Sequence, residues 1–128
     1  MVAAVPLLIL VVGAYNFMAL TGAGVDWQLF SLALPSGALL PVRFGDLLVT
    51  AGIILLYLEI WKSTRTDRSS IIDHLLSMVL FVVVLIEFLL FESFGTTVYA
   101  IILCLTFVDV IAGFTVSISS ARRDVEFR

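Results

Sequence analysis

Four apolar runs, separated by short polar segments, dominate the chain. Each is close to the ~20 residues that an α-helix needs to cross a bilayer. The first covers residues 2–20 and carries no charge. Pro6 falls in its first turns, where a missing N–H matters least. No Lys or Arg precedes this run and Thr21-Gly22-Ala23 makes a poor cleavage site, so a retained helix is expected rather than a signal peptide. The second run covers residues 46–62, with Asp46 placed as N-cap behind Gly45. It reaches only ~25 Å, so Trp61 and Lys62 are expected to hold its end at the headgroup level. The third, residues 71–91, opens on a capping-box-like pair, Ser70 and Asp73, and stops at Gly95. The fourth covers residues 97–119. The link Glu92–Thr96 is so short that helices three and four must be antiparallel neighbours.

The long connection, residues 21–45, has a different texture. Two apolar runs flank Pro35-Ser36-Gly37, a strong turn signal. This predicts a β-hairpin-like loop over residues 27–44. With Ser36-Gly37 as a two-residue turn, Ala33 faces Leu40, Ser31 faces Val42 and Leu29 faces Phe44. Pro41 then belongs on an edge. The loop is too short and interrupted to span a membrane, so it is expected on the bundle end, anchored by Trp27 and Phe44. An interfacial or re-entrant helix is the alternative, against which the prolines argue.

Composition agrees with this pattern. Of 128 residues, 62% are hydrophobic and 13% charged, whereas a soluble domain is about half apolar and a quarter charged. The net charge of −3 offers no basic field for nucleic acid. A single Cys104 excludes an intrachain disulfide or CxxC pair, and a single His74 leaves a multi-histidine metal or haem site without ligands. No cofactor is expected. Lys62, Arg65 and Arg68 lie in one loop and Arg122, Arg123 and Arg128 in the C-terminal tail, with Arg43 alone on the other side. The positive-inside rule then puts both termini in the cytoplasm and the hairpin outside. The expected fold is an all-α membrane protein with four transmembrane helices in one domain.

The stretches LFSLALPSGALL, LLYLEIWKSTRTDRSSIIDHLLS and VDVIAGFTVSISSARRDVEF resemble a family of small, uncharacterised four-helix inner-membrane proteins of proteobacteria. The resemblance runs from about residue 27 to the end. It implies a bacterial cytoplasmic membrane and a four-helix architecture, and brings no activity or catalytic residue with it. By size the chain is also similar to the small multidrug-resistance transporters. Those rely on a carboxylate in the first helix, and residues 2–20 hold none.

Acids inside apolar runs need a partner or a neutral form. Glu59 stands three residues before Lys62, so an ion pair at the interface accounts for it. Glu92 sits at the outer end of helix three, within reach of headgroup water. Glu87 lies ~24 Å along helix three counted from Ile71, at the depth of Tyr15 and Asn16, its expected partners. An interhelix bond, a proton- or ion-handling role and a contact with another protein are the three readings open to it. Asp109, Gly113, Ser117 and Ala121 are spaced by four on helix four, a small-residue stripe that lets another backbone approach. Thr106 and Tyr57 are the expected donors to Asp109. The stripe reads as an internal seam, an oligomer seam or part of a transport site. Glu87 and Asp109 differ in depth by about 10 Å, too far to share one proton. His74 is expected near the headgroups beside Asp73.

No nucleophile–base set, phosphate loop or metal motif appears in the sequence, which argues against an enzyme. The expectation is a non-enzymatic membrane protein acting by association, with itself or with a larger inner-membrane complex. The lipid bilayer and a membrane protein are its partners, and neither nucleic acid nor a small-molecule substrate is expected. The alternative is a small oligomeric proton- or ion-coupled transporter or channel using Glu87 and Asp109.

Overall fold

The computed structural model describes residues 5–64 and 68–126. Among these lie four helices and one two-stranded antiparallel sheet: α1 (Ile9–Thr21), β1 (Gln28–Ala33), β2 (Leu39–Arg43), α2 (Phe44–Ser63), α3 (Arg68–Leu90) and α4 (Thr97–Glu126). A 3-10 turn, Glu92–Phe94, joins α3 to α4. Three helical stretches are long and apolar enough to cross a membrane: Phe44–Ser63, Ile71–Leu90 and Thr97–Val116. α1 is shorter than expected. It starts at Ile9 rather than near residue 2, and its 13 residues rise only ~20 Å. The physical reason lies in residues 5–7, whose backbone bonds to side chains of α2 instead of continuing the helix. α1 ends on Gly22 in the left-handed conformation (φ 78°), with Ala23 N–H donating to the Met18 carbonyl.

The other boundaries shift in the same spirit. α2 begins at Phe44, not Asp46, because Phe44 N–H donates to the Trp27 carbonyl (2.9 Å) and Gly45 N–H to the Val25 carbonyl (3.0 Å). Asp46 is thereby inside the first turn, where it accepts from Arg43 N–H at 2.9 Å. Phe44 packs against the core and does not serve as an exposed anchor, whereas Trp27 is exposed. α3 begins at Arg68, two residues before the expected cap at Ser70, and Asp73 turns inward. α4 is capped by Thr96, whose Oγ1 accepts from Tyr99 N–H at 3.2 Å, and it runs on through Arg122 to Glu126.

The hairpin forms in a register one residue away from that expected. Ala33 pairs with Leu39, Leu32 with Leu40, Ser31 with Pro41 and Phe30 with Val42, with an irregularity at Leu29. The turn has three residues, not two. Leu34 N–H donates to the Ala38 carbonyl and Gly37 N–H to the Leu34 carbonyl, both at 2.9 Å. Pro35 supplies its fixed φ at the first corner and Gly37 the positive φ of 90°. A two-residue Ser36-Gly37 turn would have required φ > 0 at Ser36. Because strand side chains alternate, the slip moves Phe30, Leu32, Leu40 and Val42 to one face.

α3 and α4 each bury a seam spaced alternately by three and four, the pattern of left-handed helix packing. On α3 it is Asp73, Ser77, Leu80 and Val84; on α4 it is Tyr99, Ile102, Thr106, Asp109 and Gly113. α4 is central, packing along both α2 and α3. Close approach on the α2 side depends on Gly45 and Gly52, where an added Cβ would come within 2.7 Å of Val98 and of Leu105 respectively. Leu8, just before α1, and Val11, Val12, Tyr15 and Met18 within it complete the core. Tyr15, Phe94 and Tyr99 stack at the end that carries the hairpin, with centroids 4.4–5.4 Å apart.

Candidate functional site

Polar side chains enter this apolar core at its two ends. At the hairpin end, Tyr15 Oη lies 2.7 Å from Thr96 Oγ1 and donates to the Ser93 carbonyl at 3.2 Å. The half-buried Glu87 accepts at the same Oε1 from Tyr99 Oη at 2.8 Å and from Asn16 Nδ2 at 3.4 Å. Asn16 also donates to the Val12 carbonyl of its own helix at 2.9 Å. The structure therefore brings Glu87 to Asn16 but not to Tyr15, whose hydroxyl serves the α3–α4 connection instead. Tyr99 was absent from the sequence-derived partners. Its spacing from Glu87 across a tight antiparallel turn is the signal that points to it, since residues equidistant from such a turn come level. Glu92 lies exposed in the 3-10 turn.

The opposite end, where α2 stops and α3 starts, holds a charged network. Glu59 is 1% exposed although it belongs to an apolar helix. Its Oε1 accepts from Leu7 N–H and lies 3.1 Å from Lys62 Nζ. The same ammonium sits 3.1 Å from Asp73 Oδ1 on α3 and donates to the Val5 carbonyl at 2.8 Å. One lysine thus ties α2 to α3 and to the segment entering α1. The expected Glu59–Lys62 pair is present, but inside the protein. Its two further attachments depend on the late start of α1 and on the loop fold, neither of which the spacing reveals.

Asp109 joins this end from α4. It is 6% exposed and lies within electrostatic reach of Asp73 and Lys62, beside Ser77, whose hydroxyl donates to the Asp73 carbonyl at 2.9 Å. Neither expected donor reaches it. Thr106 Oγ1, although buried, donates to the Leu103 carbonyl at 2.7 Å, and Tyr57 is 70% exposed on the outer face of α2. Gly113 is buried because the His74 ring lies where its Cβ would be. His74 packs edge-on against Phe114, with centroids 4.3 Å apart. The side chains of Ser117 and Ala121 lie outside the described residues.

Chemically, the hairpin end is held by hydrogen bonds from uncharged donors and the opposite end by ion pairs. Leu80, Val84 and Ile102, all buried, separate them. No group of three or more His, Cys, Asp or Glu side chains among the described residues is arranged to hold a metal ion. Cys104 is free and exposed. Compared with known protein families, characterised proteins and solved structures, the chain has no significant match.

Proposed function

We propose that the chain is a multi-pass protein of the bacterial inner membrane, with both termini cytoplasmic, that acts by association through its external hairpin. The observation that carries this reading is the hairpin's exposure. β1 is exposed along its whole length and β2 everywhere except the half-buried Val42, and Phe30, Leu32 and Leu40 remain 47–48% exposed. A free two-stranded hairpin is marginal in water, and an apolar face beside the ends of membrane helices favours a covering surface. Gly45, Gly52 and Gly113 are occupied by contacts within the chain.

The orientation rests on Lys62, Arg68 and Arg122 at one end against Arg43 at the other. The bacterial location rests on the proteobacterial resemblance. α1 is short for a crossing, and the entry segment tied to Glu59 and Lys62 extends it towards the same level. Transport through Glu87 and Asp109 has less support, since Glu87 is hydrogen-bonded at its own end and buried apolar residues lie between the two acids.

The test uses a cysteine at Ser36, the turn tip, in a Cys104→Ser background. In intact cells it should react with a membrane-impermeant bis-maleimide and yield a cross-linked product containing a second protein chain. A cysteine at Thr64 should react only after permeabilisation. Free labelling at Ser36 without any cross-linked product would refute association through the hairpin, and labelling of both sites from one face would refute the topology.

A further inference from the structure

An open cleft of about 450 Å³ lies between the start of α2, the start of α4 and the loop that leads into β1. Its volume falls within the ~300–1,000 Å³ of small-molecule sites. The polar part of its wall is Asp26 from the loop, Arg43 at the end of β2, Asp46 and Thr50 on α2, and Thr97 on α4. The apolar part is Val49, Val98 and Ile101, which lie further along the two helices.

The charges in this wall are exposed and not spent on one another. Asp26, Arg43 and Asp46 all face solvent. Among the described residues Arg43 forms no ion pair, and the Asp26 carboxylate has no partner. Asp46 uses Oδ2 to accept from Arg43 N–H at 2.9 Å, a backbone contact that leaves the guanidinium uncommitted. One cleft therefore offers a guanidinium and two carboxylates held apart. A guanidinium fork matches a phosphate, and carboxylates accept from an ammonium. A ligand carrying both groups complements the wall, whereas a headgroup with a phosphate alone would leave the carboxylates facing only negative charge.

Beyond the cleft the α2–α4 boundary is apolar. Val49, Ile53 and Tyr57 follow one another by four on α2, and Ile101 and Val108 stand seven apart on α4, so each set keeps to one face. Ile53, Tyr57, Ile101 and Val108 are 39–70% exposed. Val49 to Tyr57 rises ~12 Å, within helical stretches apolar enough to cross a membrane. A charged cleft continuous with an apolar strip fits an amphiphile rather than a free phosphate.

We propose that this cleft binds a zwitterionic phospholipid whose headgroup ends in a primary ammonium. Arg43 takes the phosphate, Asp26 and Asp46 take the ammonium, and an acyl chain lies along Ile101, Ile53 and Tyr57. The proposal rests on the multi-pass reading, which sets the hairpin end at the membrane surface, and not on association through the hairpin.

Native mass spectrometry of the full chain, released from nanodiscs holding equal amounts of phosphatidylethanolamine, phosphatidylglycerol and phosphatidylcholine, tests it. The wild-type chain should retain one ethanolamine lipid with about fivefold preference over the glycerol lipid, the worth of one well-made exposed ion pair. It should also prefer it over the choline lipid, whose methylated ammonium has no N–H to donate. Asp26→Asn with Asp46→Asn, in which an amide oxygen can still accept from Arg43 N–H, should bring these ratios near one. Arg43→Gln should lower retention of all three lipids. Soluble glycerophosphoethanolamine, which lacks acyl chains, should not displace the bound lipid. A wild-type chain that retains no lipid, prefers the glycerol headgroup or holds ethanolamine and choline lipids equally would overturn the inference, and this measurement depends on no variant folding. So would a preference that survives the double substitution, or displacement by the soluble headgroup. Alkaline carbonate extraction of the source membranes reports on the multi-pass reading separately. A chain that is extracted contradicts that reading, and one that stays in the membrane without lipid preference contradicts only the cleft.

Discussion

At the hairpin end Glu87 meets two neutral donors, Tyr99 Oη at 2.8 Å and Asn16 Nδ2 at 3.4 Å. At the other end Glu59 and Asp73 meet one ammonium, at 3.1 Å each. The first arrangement joins α1, α3 and α4 by hydrogen bonds that either protonation state of Glu87 can keep. The second joins α2, α3 and the entry to α1 through a charge, and loses its logic if that charge is removed. Polar contacts between membrane helices average about 0.6 kcal/mol and rarely exceed 2. Breaking a buried ion pair by deleting one partner costs about 3–5 kcal/mol. The ionic end should therefore dominate the polar contribution to stability.

The largest expected effect is accordingly that of Lys62→Met, which leaves Glu59 and Asp73 without their shared cation and the Val5 carbonyl without its donor. Because Lys62 is 18% exposed, a loss near the lower figure, about 3 kcal/mol, is expected, growing as pH rises because the stranded acids cannot then protonate. Unfolding in mild detergent at two pH values measures both. A loss below ~1 kcal/mol, without pH dependence, would erase the distinction between the ends. Next comes Gly113→Ala, which drives a methyl group into the His74 ring; overpacking of this kind costs about 1–3 kcal/mol. If that variant melts with wild type, α3 and α4 do not approach there.

The hairpin-end substitutions should be smaller and ordered by geometry. Tyr99→Phe removes the shorter bond to Glu87 and should cost about 1 kcal/mol, and Asn16→Leu about 0.5 kcal/mol. The reverse order in the same unfolding assay would show that α1, not α4, is the principal partner of Glu87.

What could be read from the sequence follows the range of the interactions. The apolar runs fixed the positions of α2, α3 and α4 to within a few residues at most ends, because helix existence depends on composition over a whole turn or more. Asn16 was legible as a neighbour of Glu87 because depth along a helix can be counted. Lys62 was legible only as a partner of Glu59, three residues away, since its contacts to Asp73 and Val5 cross a loop and another helix. The start of α1 was hidden for the same reason, being decided by Glu59 and Lys62 rather than by residues 2–8 themselves. The hairpin register failed on one local choice, whether Pro35 stands inside or outside the turn. Asp109 is buried and Tyr57, its expected donor, is exposed on α2, because which face of a neighbouring helix points inward is not readable from spacing on one helix.

The central claim is association through the apolar face of the hairpin, and native mass spectrometry of the protein extracted gently from its own membrane tests it most directly. Leu32→Asp with Leu40→Asp places like charges directly across the paired strands, on the face shared with Phe30 and Val42. The wild-type chain should leave the membrane as a defined complex, homomeric or with another membrane protein. The double variant should be inserted, helical by circular dichroism, and monomeric. A wild-type chain that is monomeric under these conditions, or a complex that survives both aspartates unchanged, would contradict the account.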